Sequence, residues 1–205
     1  MRWDRCRCWS NCATMPAACW TAKREETALK RPSVLVIGYG NPGRLDDGLG
    51  PACAERIEAL ALPGVTVDAD YQLTVEDAAA VAQHDYVVFA DASLDARAPF
   101  VFAPVQPLAE ITFTSHSLPP GAVLAFAHSM FDARVQAFAL GIRGYRFNAF
   151  GERLSPGARR NLAAAVRFLA ETIRFNRFAE YADPRQKPST KEPRVVMGLT
   201  AADLN

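Results

Sequence analysis

Three side chains spread along the sequence have the types and settings needed to hold or use a metal: Asp47, Asp91 and His116. Two carboxylates and one imidazole that leave coordination positions open suit a divalent transition metal. Imidazole suits nickel as well as zinc, so the donor set alone does not name the ion. A carboxylate in such a setting can also take a proton from water as a general base. Asp47 lies beside Asp46 in the glycine-rich stretch Gly38-Tyr-Gly-Asn-Pro-Gly-Arg-Leu-Asp-Asp-Gly48. Asp91 follows the apolar run Val87-Val-Phe-Ala90 and is either a loop cap or a site residue. His116 sits in a hydroxyl-rich loop, Ser115-His-Ser117; a lone loop histidine is more often a solvated bystander. His84 precedes its strand, at the opposite end from Asp91, and His128 falls inside a helix, so neither joins the set. Neither a G-x-S-x-G elbow nor a Cys/His pair is visible, and Cys53, within the first helix, reads as structural.

Gly38, Gly40 and Gly43 spell G-x-G-x-x-G, the dinucleotide fingerprint, in which a pyrophosphate rests on the N-terminus of the next helix. Charge argues against that use. Asp46 and Asp47 stand where the phosphates would lie, Pro42 removes an amide donor, and Arg44 offsets only part of the repulsion. The acidic residue expected about 20 positions on falls inside a helix, with Asp68 and Asp70 somewhat later. A dinucleotide-binding oxidoreductase is therefore the minor alternative, and no cofactor-binding residue is assigned. Asp46 reads as the cap of the following helix, which leaves Asp47 free for other work.

The elements that must position these groups follow from periodicity and punctuation. Val34–Ile37 is a short β-branched run suited to a strand buried on both faces. Pro51 suits a first helical turn, and Ala54, Ile57 and Ala61, with Leu60, form a stripe that Pro63-Gly64 ends. Val65–Asp68 is a second strand, and Thr74 with Asp77 resembles a capping box for a helix over Val75–Gln83. Tyr86–Ala90 is a third strand, and Phe100–Phe102, flanked by Pro99 and Pro104, suits a sheet edge. A helix over Gly121–Met130 and a strand over Val135–Ile142 follow. Ser155-Pro156 then opens a long helix with Leu162, Val166, Leu169 and Ile173 on one face. This order predicts an α/β single domain: a largely parallel twisted sheet of about five strands with helices on both faces. Ligands of such sheets bind at the carboxyl ends of the strands, where Asp47 and Asp91 fall.

Composition narrows the setting. Among 205 residues, 23 basic and 22 acidic side chains leave a net charge of +1, which offers no nucleic-acid surface. No run reaches the ~18 apolar residues of a membrane span. Cys6, Cys8, Cys12 and Cys19 crowd the first 19 residues without a C-x2-C pair or a nearby histidine, so a zinc site is disfavoured. Residues 1–32 are expected to be a disordered leader, or translated sequence upstream of a true start at Met15, and they lack a secretory h-region. Residues 176–205, rich in Pro, Lys, Arg and Glu, are expected to be a mobile tail, leaving 33–175 as the folded domain. A reducing cytoplasm and a monomer are expected.

Together these elements resemble the hydrogenase maturation protease family. The resemblance rests on Gly38-Tyr-Gly-Asn41 through Asp46-Asp-Gly-Leu-Gly50, on Phe89-Ala-Asp-Ala92, on Ser115-His116 before a helix, and on Phe147 through Leu154-Ser155-Pro156, in that order. It implies a cytoplasmic α/β endopeptidase that removes a C-terminal extension from the large-subunit precursor of a nickel–iron hydrogenase after nickel insertion. It carries the three metal-contacting positions onto Asp47, Asp91 and His116, with Asp47 and Asp91 as the catalytic carboxylates. The nickel would belong to the substrate. The aspartic-protease label sometimes given to the family does not imply a shared-proton dyad, which needs carboxylates ~3 Å apart. A non-catalytic nickel-binding maturation factor using the same residues is the other alternative.

Overall fold

The computed structural model describes residues 31–109 and 118–182. The apolar run predicted near residue 34 becomes β1 (Val34–Tyr39), whose first five residues are buried. It is buried because it lies between two parallel neighbours, β2 (Val65–Asp70) and β3 (Tyr86–Ser93), in register from Val34. Beyond β3 come β5 (Gln136–Arg143), parallel, and β4 (Phe100–Val105), antiparallel at the edge. The strand order is β2-β1-β3-β5-β4. Pro104 lies inside β4, where an edge position spares the sheet the missing N–H.

Alternate residues of the strands feed two separate cores. Val34, Val36, Val88 and Ala90 pack with α1 (Leu49–Ala59) and α4 (Pro156–Arg174) on one face. Leu35, Ile37, Val87 and Phe89 pack with α2 (Asp77–Val81) and α3 (Pro120–Phe131) on the other. The chain leaves β1 toward β2 on one side, and β3 continues toward β5 and β4 on the other. That divergence makes the carboxyl ends of β1 and β3 the switch point of the sheet, where ligands of such sheets bind.

Several expectations need correction. Ala61 does not join the stripe of α1: it lies past the helix end, exposed, at φ +44, and Leu49, Cys53, Ala54 and Ile57 make the buried face instead. The capping box before α2 is half made. Asp77 Oδ2 accepts from the Thr74 N–H at 2.7 Å, but the helix proper spans five residues rather than nine. The folded region also continues past residue 175. Phe178, fully buried in a 3-10 turn (Phe178–Tyr181), stacks on Tyr86 with ring centroids 4.4 Å apart, and Tyr181 meets Phe102 edge-on. These aromatics, set among polar neighbours, hold no helical or strand period, so the sequence reads as tail. The rest of the expected tail and the leader through residue 30 lie outside the described residues. Among those described, no helix is long and apolar enough to cross a membrane.

Candidate active site

The glycine-rich turn is built for close packing. A Cβ on Gly38 would collide with the Gly50 carbonyl, and one on Gly50 with the backbone of Tyr39 and Ala90. These two glycines therefore let the start of α1 sit directly on the ends of β1 and β3. Gly40, at φ +133, adopts a conformation that side chains rarely tolerate. The amides of the turn are already committed. Gly40 N–H donates to Asp70 O, Asn41 to Asp47 Oδ2, Gly43 to Asn41 Oδ1, and Arg44 to Asn41 O. The amides of Leu45, Asp46 and Asp47 donate to Gly151 O, Arg146 O and Arg44 O. With Pro42 offering none, a pyrophosphate would have to break this set to bind, which removes the physical basis of the fingerprint.

The two adjacent aspartates do different work, and one differs from its sequence reading. Asp46 does not cap α1. A 3-10 turn (Leu45–Gly48) precedes that helix, and the Asp46 carboxylate is fully buried and turned away. Its Oδ2 accepts from Tyr145 N–H at 2.8 Å, Arg146 N–H at 3.0 Å and the Ser155 hydroxyl at 2.7 Å, and its Oδ1 accepts from Ser155 N–H at 2.7 Å. Burial alone would raise its pKa, but these donors outweigh it and hold the carboxyl below its usual range. Ser155 in turn caps α4 by accepting from Ala158 N–H. Asp46 thus latches the loop after β1 to the loop after β5. Leu45 beside it is held at φ +56, a strained position for a leucine, by its amide bond to Gly151 and its own burial.

With Asp46 fixed inward, Asp47 is half-buried on the other side, one oxygen receiving the Asn41 N–H at 3.2 Å. Asp91 does not end β3 as expected but lies within it, paired with Gly141 of β5 and one residue past the last pairing with β1. Its Oδ1 accepts from Ala92 N–H at 2.6 Å. Burial pushes its pKa up to about 6, with the Asp47 charge adding to the rise, while the Ala92 amide and the Tyr39 hydroxyl work the other way. Burial and the Asp91 charge likewise raise the Tyr39 phenol above its ordinary range. A half-buried carboxylate poised near neutrality, with the charge of a second acting on it, is suited to holding a cation or passing a proton.

Of the residues singled out in the sequence, Asp47 and Asp91 both fall at the carboxyl end of the sheet, near enough for the Asp47 charge to act on Asp91. His116 lies outside the described residues, which resume at Leu118, anchored by its N–H to Leu73 O. His84 is at the other end of β3, bonded to Ala80 O and Thr66 Oγ1. His128 is on α3, its Nε2 buried without a partner. Cys53 is fully buried and its thiol pKa pushed up to about 12 by that burial, so it is no nucleophile. Asp68 and Asp70, at the end of β2, gather with Asp77 of α2. Tyr39 and Asn41 were not singled out as site residues: their roles depend on strand pairing and turn geometry that a linear pattern does not show.

No protein-family model matches the sequence, and no curated protein matches it. Solved structures do. The [NiFe] hydrogenase maturation protease HycI from Thermococcus kodakarensis superposes with a TM-score of 0.57 at 23% identity, over 71% of this chain and 94% of that one. HybD, the hydrogenase maturating endopeptidase from E. coli, gives 0.53 at 16% identity, over 70% and 93%. The hydrogenase 2 maturation peptidase of a Thaumarchaeota archaeon gives 0.51 at 24% identity, over 69% and 97%. The chain has the fold of these hydrogenase maturation proteases.

Proposed function

We propose that the chain is an endopeptidase that removes the C-terminal extension of a nickel–iron hydrogenase large-subunit precursor after nickel has been inserted. The observation that carries this reading is the half-buried Asp91, poised near neutrality in β3 just past its last pairing with β1, with the Asp47 charge acting on it. The likeness in fold to maturation proteases and the ordered motifs around both residues support it. Nickel enters as part of the substrate, contacted by Asp47, Asp91 and His116. One carboxylate takes a proton from water as the oxygen adds to the scissile carbonyl, and the departing amine regains a proton as the C–N bond breaks. The substrate's own metal polarises the carbonyl or the water. Such an enzyme works in the cytoplasm, as a monomer, on one large protein partner.

The test mixes the full chain with nickel-loaded and nickel-free precursor and follows precursor length. Shortening of the loaded form alone is expected. Equal cleavage of both would end the metal-reading claim. Tight nickel binding with no change in length would leave a non-catalytic maturation factor.

A further inference from the structure

Period-2 alternation in two neighbouring strands places a phenol beside the buried carboxylate. In β1, Leu35 and Ile37 face the core under α2 and α3, and Tyr39 follows them onto that face. In β3, Val87 and Phe89 face the same core, so Asp91 continues that row. The strands are parallel, with Ile37 opposite Phe89 and Gly38 opposite Ala90, so Tyr39 and Asp91 occupy the next matched positions. The phenol ring is partly buried against that core, and the strand register sets it beside Asp91, close enough for the two side chains to act on one another. The Tyr39 backbone is fixed from two sides: it is opposite Asp70 in β2, and the glycine at position 50 brings α1 against it.

We infer that Tyr39 is a positioning residue that orients the Asp91 carboxylate toward Asp47 and the substrate. A carboxylate has room for about four donors. Asp91 receives the Ala92 amide, and with the Tyr39 hydroxyl as a second donor, lone pairs remain for a water or a metal. The amide lies along the strand and fixes Oδ1, and the phenol supplies the second point that stops the group rotating about its Cβ–Cγ bond. A freely rotating carboxylate would present its open lone pairs in the productive direction only part of the time. The effect of Tyr39 is exerted through Asp91. This role rests on the processing activity proposed above.

Tyr39→Phe keeps the ring and removes only the donor. With nickel-loaded precursor, kcat is expected to fall about tenfold, the scale of one hydrogen bond to a charged group, with KM unchanged. The melting temperature gives a readout independent of activity: in a double-mutant cycle, Tyr39→Phe and Asp91→Asn should be non-additive. Wild-type kcat in Tyr39→Phe, or a rise in KM alone, would overturn the inference. If the wild-type chain leaves the precursor intact, the proposed activity has failed. The cycle then decides separately: additive melting shifts mean that Tyr39 and Asp91 do not act together.

Discussion

Asp46, fully buried, and Asp91, half-buried, both lie at the carboxyl end of one sheet, yet their environments drive them in opposite directions. Asp46 collects four donors from Tyr145, Arg146 and Ser155 and is held ionised. Asp91 has one backbone amide, one phenol and a like charge beside it, and its pKa climbs to about 6. Desolvation raises both, and at Asp46 the four donors more than reverse that rise. A carboxylate whose lone pairs are filled is a structural tie, and one left short of partners can accept a ligand. The latch sits on the α1/α4 side, where it locks two loops. The under-supplied acid sits on the α2/α3 side, half-buried at the carboxyl end of β3.

Replacing each acid in turn separates the two roles. Asp91→Asn should slow precursor processing by about 10²–10⁴-fold, the range for a lost acid–base group, while melting at or above the wild-type temperature. A fold that collapses would place Asp91 with Asp46 as a tie. Asp46→Ala should lower stability in urea by about 3 kcal/mol, because Tyr145, Arg146 and Ser155 lose a buried charged acceptor. Stability within 0.5 kcal/mol of wild type, roughly the scale of a surface change, would remove the latch.

The pH dependence of stability should bend in opposite directions at the two sites. Asp91, with a folded pKa raised to about 6 from an ordinary 3.8, makes the native state bind a proton that the unfolded chain releases. Its contribution therefore becomes more favourable as pH falls from about 6 to about 4, and Asp91→Asn should lack that gain. Asp46, with a depressed pKa, contributes above the unfolded value of 3.8 and loses that contribution as pH falls below it. Urea midpoints of the wild type and both variants across pH 3–7 read the two windows. The smallest effect is expected for Ser155→Ala, which removes the cap of α4 and one of the four bonds to Asp46 and should cost about 1–2 kcal/mol.

Much of the fold was legible in the sequence because apolar runs and Gly/Pro punctuation are local signals. Five strands, the capped start at Ser155 and the edge position of Phe100–Phe102 follow from them. The excess of acid at Asp46-Asp47 also argued against a phosphate site, and the committed amides of the turn give the same answer from geometry. What a local reading missed depends on long-range partners. Asp46 has the composition of a helix cap, and only the return of residues 145–155 turns it into a latch about 100 positions away. Phe178 and Tyr181 look like tail until the core supplies Tyr86, Phe102 and Phe138 to stack on.

The sequence by itself determined the strand–turn–helix order, the candidacy of Asp47 and Asp91, and the acidic charge that disfavours a pyrophosphate. Tertiary structure alone decided which of two adjacent aspartates faces inward, and it set Tyr39 beside Asp91 through the register of β1 and β3. The division has a physical cause. Periodicity and net charge are sums over neighbours in the chain, whereas a hydrogen bond needs a partner in space, and strand pairing assigns that partner.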